Sequence, residues 1–206
     1  MDNRNNWDKT YISKGYQVPW FLGNIPSFFQ EIASSLKPCK TLDLGCGLGQ
    51  YAGYLAKRNF KVTAIDFSQK AIDTAKEKVP NVNFKCMNVL DINKLLKTKF
   101  DFIYDISLFH HLDPKTKEAY TQRVKNQLSP KGVYVVCAFN TEDKYFQGKK
   151  EFFSSVSDTT LYPVTLKIIV DTFDKHFNIT KIEQITWGKE YDKKRWLVVM
   201  KHKNKA

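Results

Sequence analysis

The sequence predicts an α/β protein with a seven-stranded, mostly parallel, doubly wound sheet and an antiparallel C-terminal strand. From residue 39 onward, short β-rich runs alternate with amphipathic helical patterns. The run 133–139 is almost entirely apolar, which is typical of a central parallel strand. The chain of 206 residues is long enough to bury one sizeable core. We therefore expect one domain, residues 1–206, with an N-terminal segment 1–38 and a core 39–206.

The first five strands and their helices are expected in alternation. The predicted strands are 40–44, 61–65, 82–86, 100–107 and 133–139, and the predicted helices are 48–58, 68–78 and 114–128. Ser68 can cap the second of these helices, which ends before Pro80, and Pro114 suits the first turn of the third. The sequence Ser-Pro-Lys-Gly at 129–132 indicates a turn.

The pattern changes after the fifth strand. Residues 140–160 are polar with interleaved aromatic residues and lack a clean period, so we expect an excursion over the sheet edge. A helix at about 164–176 follows. Two strands, 177–187 and 195–202, joined by the polar loop 188–194, are expected to close the sheet as an antiparallel pair. This order of elements corresponds to a Rossmann-like architecture.

Composition limits the partners that we expect. The net charge is +12, but the excess of lysine and arginine is spread thinly, without a basic tail. The start is polar and no run is long and apolar enough to span a bilayer. The four cysteines form no C-x-x-C pair and suggest buried thiols, not a metal site. We expect a cytoplasmic protein, monomeric or homodimeric, that binds neither nucleic acid, membrane nor metal.

A glycine-rich loop joins the first strand to the first helix of the core. Gly45, Gly47 and Gly49 let the chain turn tightly and let a ligand approach the backbone. Asp66 ends the second strand, 21 residues after Gly45, where a carboxylate can accept hydrogen bonds from both hydroxyls of a ribose. A dinucleotide fingerprint would place a glycine where this sequence has Gln50, so NAD is disfavoured.

With an acid, Asp43, two positions before its first glycine, the loop resembles the first motif of the class I S-adenosylmethionine-dependent methyltransferases. The resemblance implies bound S-adenosyl-L-methionine, with the glycine loop at its amino-acid end and Asp66 at its ribose. It places the adenine partner at Asn88, where the family more often has Asp, with Asp91 as the alternative acid or a helix cap. Asp43 either contacts the cofactor or braces the loop. The neighbouring residues Phe67 and Val89 belong to the same expected cofactor site.

The end of the fourth strand should lie beside the reacting centre. Asp105, or the carbonyl of Ile106, is placed to meet the cationic end of the methionine moiety. His110 and His111 are candidate catalytic bases, because imidazole can take a proton near neutral pH. Such a histidine pair is frequent in the family, so packing or the start of a helix is the alternative for at least one of them.

The N-terminal segment points to the class of acceptor. Trp7, Tyr11, Gly15, the pair Pro19-Trp20, Gly23 and Pro26 resemble the opening of the thiol, halide, thiopurine and tellurite methyltransferase group. The resemblance implies a small-molecule acceptor, such as a thiol or another soft nucleophile. We expect Trp7, Tyr11 and Trp20 to form an aromatic lid against the cofactor, since aromatic faces attract a sulfonium.

Three alternatives remain open at this stage. The lid aromatics could instead be core residues of a packed N-terminal helix. The acceptor could be a nucleic acid or a protein, or the chain could bind S-adenosylmethionine without catalysis. Residues 140–160 have no clear counterpart in the family pattern, and we expect this region to shape the acceptor pocket.

Overall fold

A computed structural model describes residues 3–187 and 193–203, and nine strands lie within these ranges. The strands are β1 Lys40–Leu44, β2 Lys61–Asp66, β3 Asn83–Cys86, β4 Phe100–Ile106, β5 Leu128–Phe139, β6 Phe152–Ser154, β7 Thr159–Leu161, β8 Phe177–Trp187 and β9 Lys193–His202. The helices are α1 Arg4–Lys14, α2 Ser27–Ser35, α3 Gln50–Ala56, α4 Gln69–Lys78, α5 Ile92–Leu95, α6 Pro114–Gln127 and α7 Leu166–Phe173. Within the described ranges, none of these helices has the length and apolar character needed to cross a membrane.

Seven strands form one sheet in the order β3-β2-β1-β4-β5-β9-β8. Strands β1 to β5 pair in parallel, β9 is antiparallel to β5, and β8 is antiparallel to β9. Only β9 therefore runs against the others, which confirms the predicted seven-stranded, doubly wound fold with an antiparallel C-terminal strand. The strand order reverses between β1 and β4, the point at which open α/β sheets bind ligands beyond the carboxyl ends of their strands.

Helices cover both faces of this sheet. Helices α2, α3 and α4 pack on one face, where Phe29, Leu55 and Ile72 are fully buried. Helices α5, α6 and α7 pack on the other face with Tyr120 and Phe173. Both faces of the central strands are thus apolar, which explains why their sequences are continuous hydrophobic runs instead of alternating ones.

The region of the predicted turn at 129–132 lies within β5. Phe100 pairs with Leu128 and Phe102 pairs with Val133, so β5 advances five residues where β4 advances two. The Ser-Pro-Lys-Gly sequence therefore forms an irregularity inside a paired strand, and the prediction of a separate turn was wrong. Pro130 lacks a backbone N–H, which fits a position where the regular ladder is interrupted.

Two predicted helices begin later than expected. The first helix of the core begins at Gln50 because Gly45, Gly47 and Gly49 all have positive φ angles, which keep the preceding segment out of the helix. Helix α7 spans Leu166–Phe173 and begins after Thr165, whose hydroxyl accepts the N–H of Ile168 at 3.2 Å. The predicted loop 188–194 lies largely outside the described residues, and Lys193 and Lys194 belong to β9.

Residues 140–160 lie against the carboxyl ends of the central strands. Phe146 is fully buried, with its ring 5.1 Å from that of Phe139 at the end of β5. Strands β6 and β7 form a separate two-stranded sheet. Just beyond it, the N–H of Tyr162 donates to the carbonyl of His110 at 2.6 Å. The expectation of an excursion over the sheet edge was therefore wrong, because the sheet edges are β3 and β8.

Candidate functional site

A cavity of about 840 Å³ lies at the carboxyl ends of the parallel strands, beneath α1. Its position at the reversal of strand order is the usual ligand site of this architecture. Twelve of the predicted site residues line it: Trp7, Tyr11, Trp20, Asp43, Gly45, Gly47, Asp66, Phe67, Asn88, Val89, His110 and His111. Gly49 and Asp105 do not line it, and their positions are described below.

Gly47 and Gly49 differ in what a β-carbon at each position would contact. A β-carbon on Gly47 would lie 2.9 Å from the hydroxyl oxygen of Tyr11, in the cavity. A β-carbon on Gly49 would lie 2.8 Å from the ring of Phe84, which is buried in the core. Gly49 therefore allows α3 to pack closely on the sheet, which gives it a structural role.

Asp66 holds the glycine loop through its carboxylate. One oxygen accepts the N–H of Gly47 and the other accepts the N–H of Ser68, both at 2.9 Å. Burial raises the pKa of Asp66 to about 6, although these backbone donors favour the ionised form. A carboxylate has about four acceptor sites, so free lone pairs remain for hydroxyl donors of a ligand.

Asp43 supplies a buried acceptor with an atom that has no partner. The side chain is 3% exposed and its Oδ2 has no hydrogen-bond partner among the described residues. Burial is the main cause that raises the pKa of Asp43 to about 8; the hydroxyl of Tyr104 opposes this shift, and the charges of Asp66 and Asp105 add to it. The carboxylate that accepts a backbone N–H of the glycine loop is that of Asp66, whereas Asp43 lines the cavity.

Asn88 lies beyond β3, on the cavity wall. Its Oδ1 accepts the N–H of Leu90 at 2.9 Å and caps a short 3-10 turn, Val89–Asp91. The alternative acid, Asp91, forms an exposed ion pair with Lys94 at 3.2 Å and does not line the cavity. The structure thus brings Asn88 and Val89, but not Asp91, to the site.

Asp105 lies below the cavity and is fully buried. Its Oδ1 accepts the N–H groups of Leu108 and Phe109 at 2.8 and 3.1 Å, and its Oδ2 accepts the hydroxyl of Tyr120 at 2.7 Å. Burial raises its pKa to about 7. These contacts fix the turn after β4 and use both carboxylate oxygens of Asp105, which gives this residue a structural role. The other candidate, Ile106, does line the cavity.

His110 and His111 lie in the 3-10 turn Phe109–His111, and both line the cavity. The Nδ1 of His110 accepts the N–H of Phe139 at 3.2 Å, while its Nε2 has no partner among the described residues. Burial lowers the pKa of His110 well below 6.5 and that of His111 to about 3. Both rings are therefore neutral at pH 7 and weakly basic, which disfavours the predicted role as general bases.

The three aromatic residues of the predicted lid lie together above the glycine loop. The Nε1 of Trp20 donates to the hydroxyl of Tyr11 at 3.3 Å, and the ring of Trp7 is 5.3 Å from that of Trp20. The ring of Trp7 also lies 4.9 Å from that of His111, edge to face. Tyr11 is buried, whereas Trp7 and Trp20 are half-buried at the cavity. The three aromatic residues therefore line the cavity, and Tyr11 also belongs to a small apolar core beneath α1.

Two polar residues that sequence reasoning missed hold this lid in place. Asp8 accepts the hydroxyl of Ser68 at 2.5 Å and the N–H of Lys70 at 3.2 Å, which ties α1 to the start of α4. Gln50 donates to the carbonyl of Trp20 at 3.0 Å and accepts the N–H of Leu22 at 3.2 Å. Gln50 stands where a dinucleotide fingerprint has its last glycine. That difference is the sequence signal that could have pointed to its contacts with the segment at Trp20 and Leu22.

Arg195 is a cavity residue that the sequence analysis did not identify. It is 6% exposed, lies at the start of β9, and lines the cavity together with Trp187. The only sequence signal is an arginine at the beginning of an apolar strand. Thr159, Thr160 and Tyr162 also line the cavity, so residues near the end of the 140–160 excursion contribute to its wall.

No metal site is evident in the described ranges. The residues there include no cluster of three or more His, Cys, Asp or Glu side chains arranged to hold an ion. The four cysteines are free thiols. The carboxyl groups of Asp43 and Asp66, both on the cavity wall, instead fit an organic ligand with hydroxyl and ammonium donors, as S-adenosylmethionine has.

Comparisons with known proteins agree with this geometry. A family model described as "Methyltransferase domain" matches residues 41–132. An uncharacterized methyltransferase of Schizosaccharomyces pombe is 32% identical over 119 residues, which cover 54% of this chain and 81% of that protein. The probable S-adenosyl-L-methionine-dependent methyltransferase TehB of Haemophilus influenzae is 29% identical over 136 residues. That alignment covers 65% of this chain, and the chain spans only 46% of the length of TehB.

Solved structures share the fold at low sequence identity. The S-adenosylmethionine-dependent methyltransferase from Anabaena variabilis superposes with a TM-score of 0.80 at 16% identity, covering 98% of this chain and 96% of that one. The crystal structure of TehB from Haemophilus influenzae gives a TM-score of 0.70 at 18% identity, with 95% and 67% coverage. Together, the family match, the relative that is covered over most of its length and the shared fold show that this chain belongs to the class I S-adenosylmethionine-dependent methyltransferases.

Proposed function

We propose that the protein transfers a methyl group from S-adenosylmethionine to a small-molecule acceptor, with a thiol or another soft nucleophile as the favoured class. One observation carries this proposal: a single cavity of about 840 Å³ is lined by the carboxyl groups of Asp43 and Asp66 and also by Trp7, His111 and Arg195. Such a site can enclose a cofactor and a second molecule together.

The cofactor would be held by the groups on β1 and β2. Asp66 would accept ribose hydroxyls, Asn88 and Val89 would border the adenine, and the unpartnered Oδ2 of Asp43 would accept a donor of the amino-acid end. Bound S-adenosylmethionine supplies a methyl carbon on a sulfonium, to which the acceptor donates an electron pair as the carbon–sulfur bond breaks. The aromatic lid would attract that cation and exclude water from it.

The chemistry of the two histidines favours an acceptor that needs little base catalysis. Neither His110 nor His111 is a strong base, because burial lowers the pKa of both. A thiol, with a pKa of about 8.5, is partly ionised near neutral pH and is a strong nucleophile, so placement and desolvation are the main requirements for its methylation. The cavity of about 840 Å³ lies in the size range of small-molecule sites.

Named relatives support the choice of a small molecule. One is the 2-heptyl-1-hydroxyquinolin-4(1H)-one methyltransferase of Mycobacteroides abscessus, 30% identical over 130 residues that cover 59% of this chain and 56% of that protein. Another is the 1,6-didemethyltoxoflavin-N1-methyltransferase of Burkholderia thailandensis, which shares the fold with a TM-score of 0.73 at 16% identity over 97% of this chain and 88% of that one. We further propose that the protein acts in the cytoplasm as one domain, without a nucleic-acid or membrane partner.

A transfer assay tests this function. The protein is incubated with S-adenosylmethionine carrying a labelled methyl group and, separately, with small thiols, halide ions, amines, phenols, carboxylates and a polynucleotide. The proposal expects label on a small acceptor, with thiols among the best. Transfer to the polynucleotide alone, or binding of the cofactor with no transfer to any acceptor class, would contradict it.

A further inference from the structure

We infer that the acceptor carries an oxyanion, such as a carboxylate. The guanidinium of Arg195 and the Nε2–H of His110 bind this oxyanion in the part of the cavity near the end of β5. This inference rests on the proposed function and names the substrate class of the same site. It depends on two buried donors that have unused hydrogen-bonding atoms.

The first donor is the guanidinium of Arg195. It lies 4.3 Å from the ring centroid of Trp187 and 4.6 Å from that of Phe139, so two aromatic rings hold its position. Its Nη1 donates to the carbonyl of Trp187, whereas its buried Nε has no partner among the described residues. The guanidinium edge that includes Nε is the one suited to a planar carboxylate.

The charge of Arg195 also lacks a counter-ion in the part of the chain that the structure describes. No carboxylate there forms an ion pair with it within 4.0 Å. Asp143, a carboxylate near enough to act on its charge, uses its two oxygens to accept the N–H groups of Tyr145 and Lys194 at 2.8 and 2.7 Å. Because a buried charge is unfavourable without a partner, an anionic ligand is the natural complement of this wall.

The second donor is the ring of His110. Its Nδ1 accepts the N–H of Phe139 and must therefore carry a lone pair. Because the buried ring is neutral at pH 7, its proton resides on Nε2. This Nε2–H has no partner among the described residues and belongs to a residue of the cavity wall. It can donate a hydrogen bond but cannot accept one, which matches an anionic oxygen.

Phe139 brings the two donors to one place. The ring centroids of His110 and Phe139 are 4.1 Å apart, and Arg195 is the partner of Phe139 in the pairing of β5 with β9. The sheet order places β9 three strands from β1, which is roughly 14 Å at the usual strand spacing. Arg195 is thus separated from Asp43, whereas His110 follows β4, the neighbour of β1. Because the charged member of the pair is the distant one, we assign the pair to the acceptor instead of the cofactor.

Paired probes that differ only in charge test the inference. The protein saturated with S-adenosylhomocysteine is titrated with 4-mercaptobenzoate and with 4-mercaptobenzamide. We expect the carboxylate to bind at least about tenfold more tightly than the amide, since charge-assisted hydrogen bonds are the strong ones. Arg195→Met should abolish that preference, and His110→Phe, which removes the Nε2–H and keeps a ring, should reduce it.

Lys193→Met is the matched control, because it removes the same charge two residues away. Lys193 lies 3.7 Å from the ring of Tyr145 and does not line the cavity, so its variant should keep the preference for the carboxylate. Equal binding of the two probes, binding of neither, or a preserved preference in Arg195→Met would overturn the inference. So would weaker binding of S-adenosylhomocysteine to Arg195→Met, which would mean that the arginine contacts the cofactor. A parent protein that binds no S-adenosylhomocysteine would instead refute the proposed function, and this inference with it.

Discussion

The hydroxyl of Tyr11 lies against the α-carbon of Gly47, so close that a β-carbon on the glycine would be 2.9 Å from the phenol oxygen. The backbone N–H of the same glycine donates to Asp66 at 2.9 Å. Gly47, in the glycine loop, therefore connects helix α1 to the carboxylate of Asp66 at the end of β2. A change at any of these three residues should affect both closure of the cavity and cofactor binding.

Gly47→Val should weaken binding of S-adenosylhomocysteine by at least about a hundredfold, because the side chain would enter the cavity and meet Tyr11. The positive φ of 51° adds a stability cost, on the order of 1 to 2 kcal/mol. Gly148→Val is the matched control: its φ is 74° and no atom lies within 4 Å of the position of a β-carbon. Calorimetric titration of both variants, with their unfolding free energies, checks this. Equal affinities for the two would show that Gly47 does not approach the ligand.

Trp20→Ala should reduce the turnover of the best acceptor by at least about tenfold, since a lid that excludes water and positions the acceptor contributes mainly to the chemical step. Trp20 is half-buried, so we expect only a modest fall in Tm. Ile12→Ala, on the same segment but 68% exposed, is the control and should leave turnover unchanged. The measurement is kcat together with Tm for each variant. A loss of turnover that merely follows the loss of Tm would indicate a structural role for Trp20.

Asp43 should give the protein a pH dependence that Asp43→Asn removes. Burial raises the pKa of Asp43 from 3.8 to about 8, so the folded state binds this proton more tightly than the unfolded state. The contribution of the group to stability is therefore greatest below about pH 4 and is lost as the pH rises to about 8. Urea unfolding of parent and variant between pH 4 and 9 should show the parent losing stability relative to Asp43→Asn. A difference that is constant with pH would contradict the raised pKa.

The same carboxyl should couple cofactor binding to proton release. At pH 7 the buried Asp43 is mostly protonated, and an ammonium or hydroxyl donor beside its Oδ2 would favour the ionised form. Binding of S-adenosylhomocysteine should then release a fraction of a proton and strengthen as the pH rises from 6 to 8. Calorimetry in buffers of different ionisation enthalpy measures the release, and Asp43→Asn should abolish it. Proton uptake on binding would show the opposite coupling.

The sequence was sufficient for the parts of the fold that depend on local pattern. Buried parallel strands are continuous apolar runs, and the spacing from Gly45 to Asp66 follows from one strand, one helix and the next strand. The predicted seven-stranded sheet followed from these patterns, whereas Asn88 and the N-terminal aromatic residues of the cavity wall were expected from the resemblance to the methyltransferases. The irregular pairing at 129–132 did not, because it depends on the register against β4.

Residues whose roles depend on tertiary contacts were not predictable in the same way. Asp105 lies near the carboxyl end of the parallel strand β4, as a ligand contact would, but Tyr120 on α6 and two backbone donors occupy its oxygens. Arg195 faces the cavity only because β9 pairs antiparallel with β5, which places the start of β9 beside Phe139. No local motif contains that pairing.

Titration of S-adenosylhomocysteine into the parent, Asp66→Ala and the control Asp73→Ala tests the central claim most directly. Asp73 is an exposed acid on α4, whereas Asp66 is a buried acid of the cavity wall. We predict tight binding by the parent and by Asp73→Ala, and at least about tenfold weaker binding by Asp66→Ala, because hydrogen bonds to an ionised carboxylate contribute about 1.5 to 3 kcal/mol each. A parent that does not bind, or a folded Asp66→Ala variant that binds as tightly as the parent, would contradict the assignment of this cavity as the cofactor site.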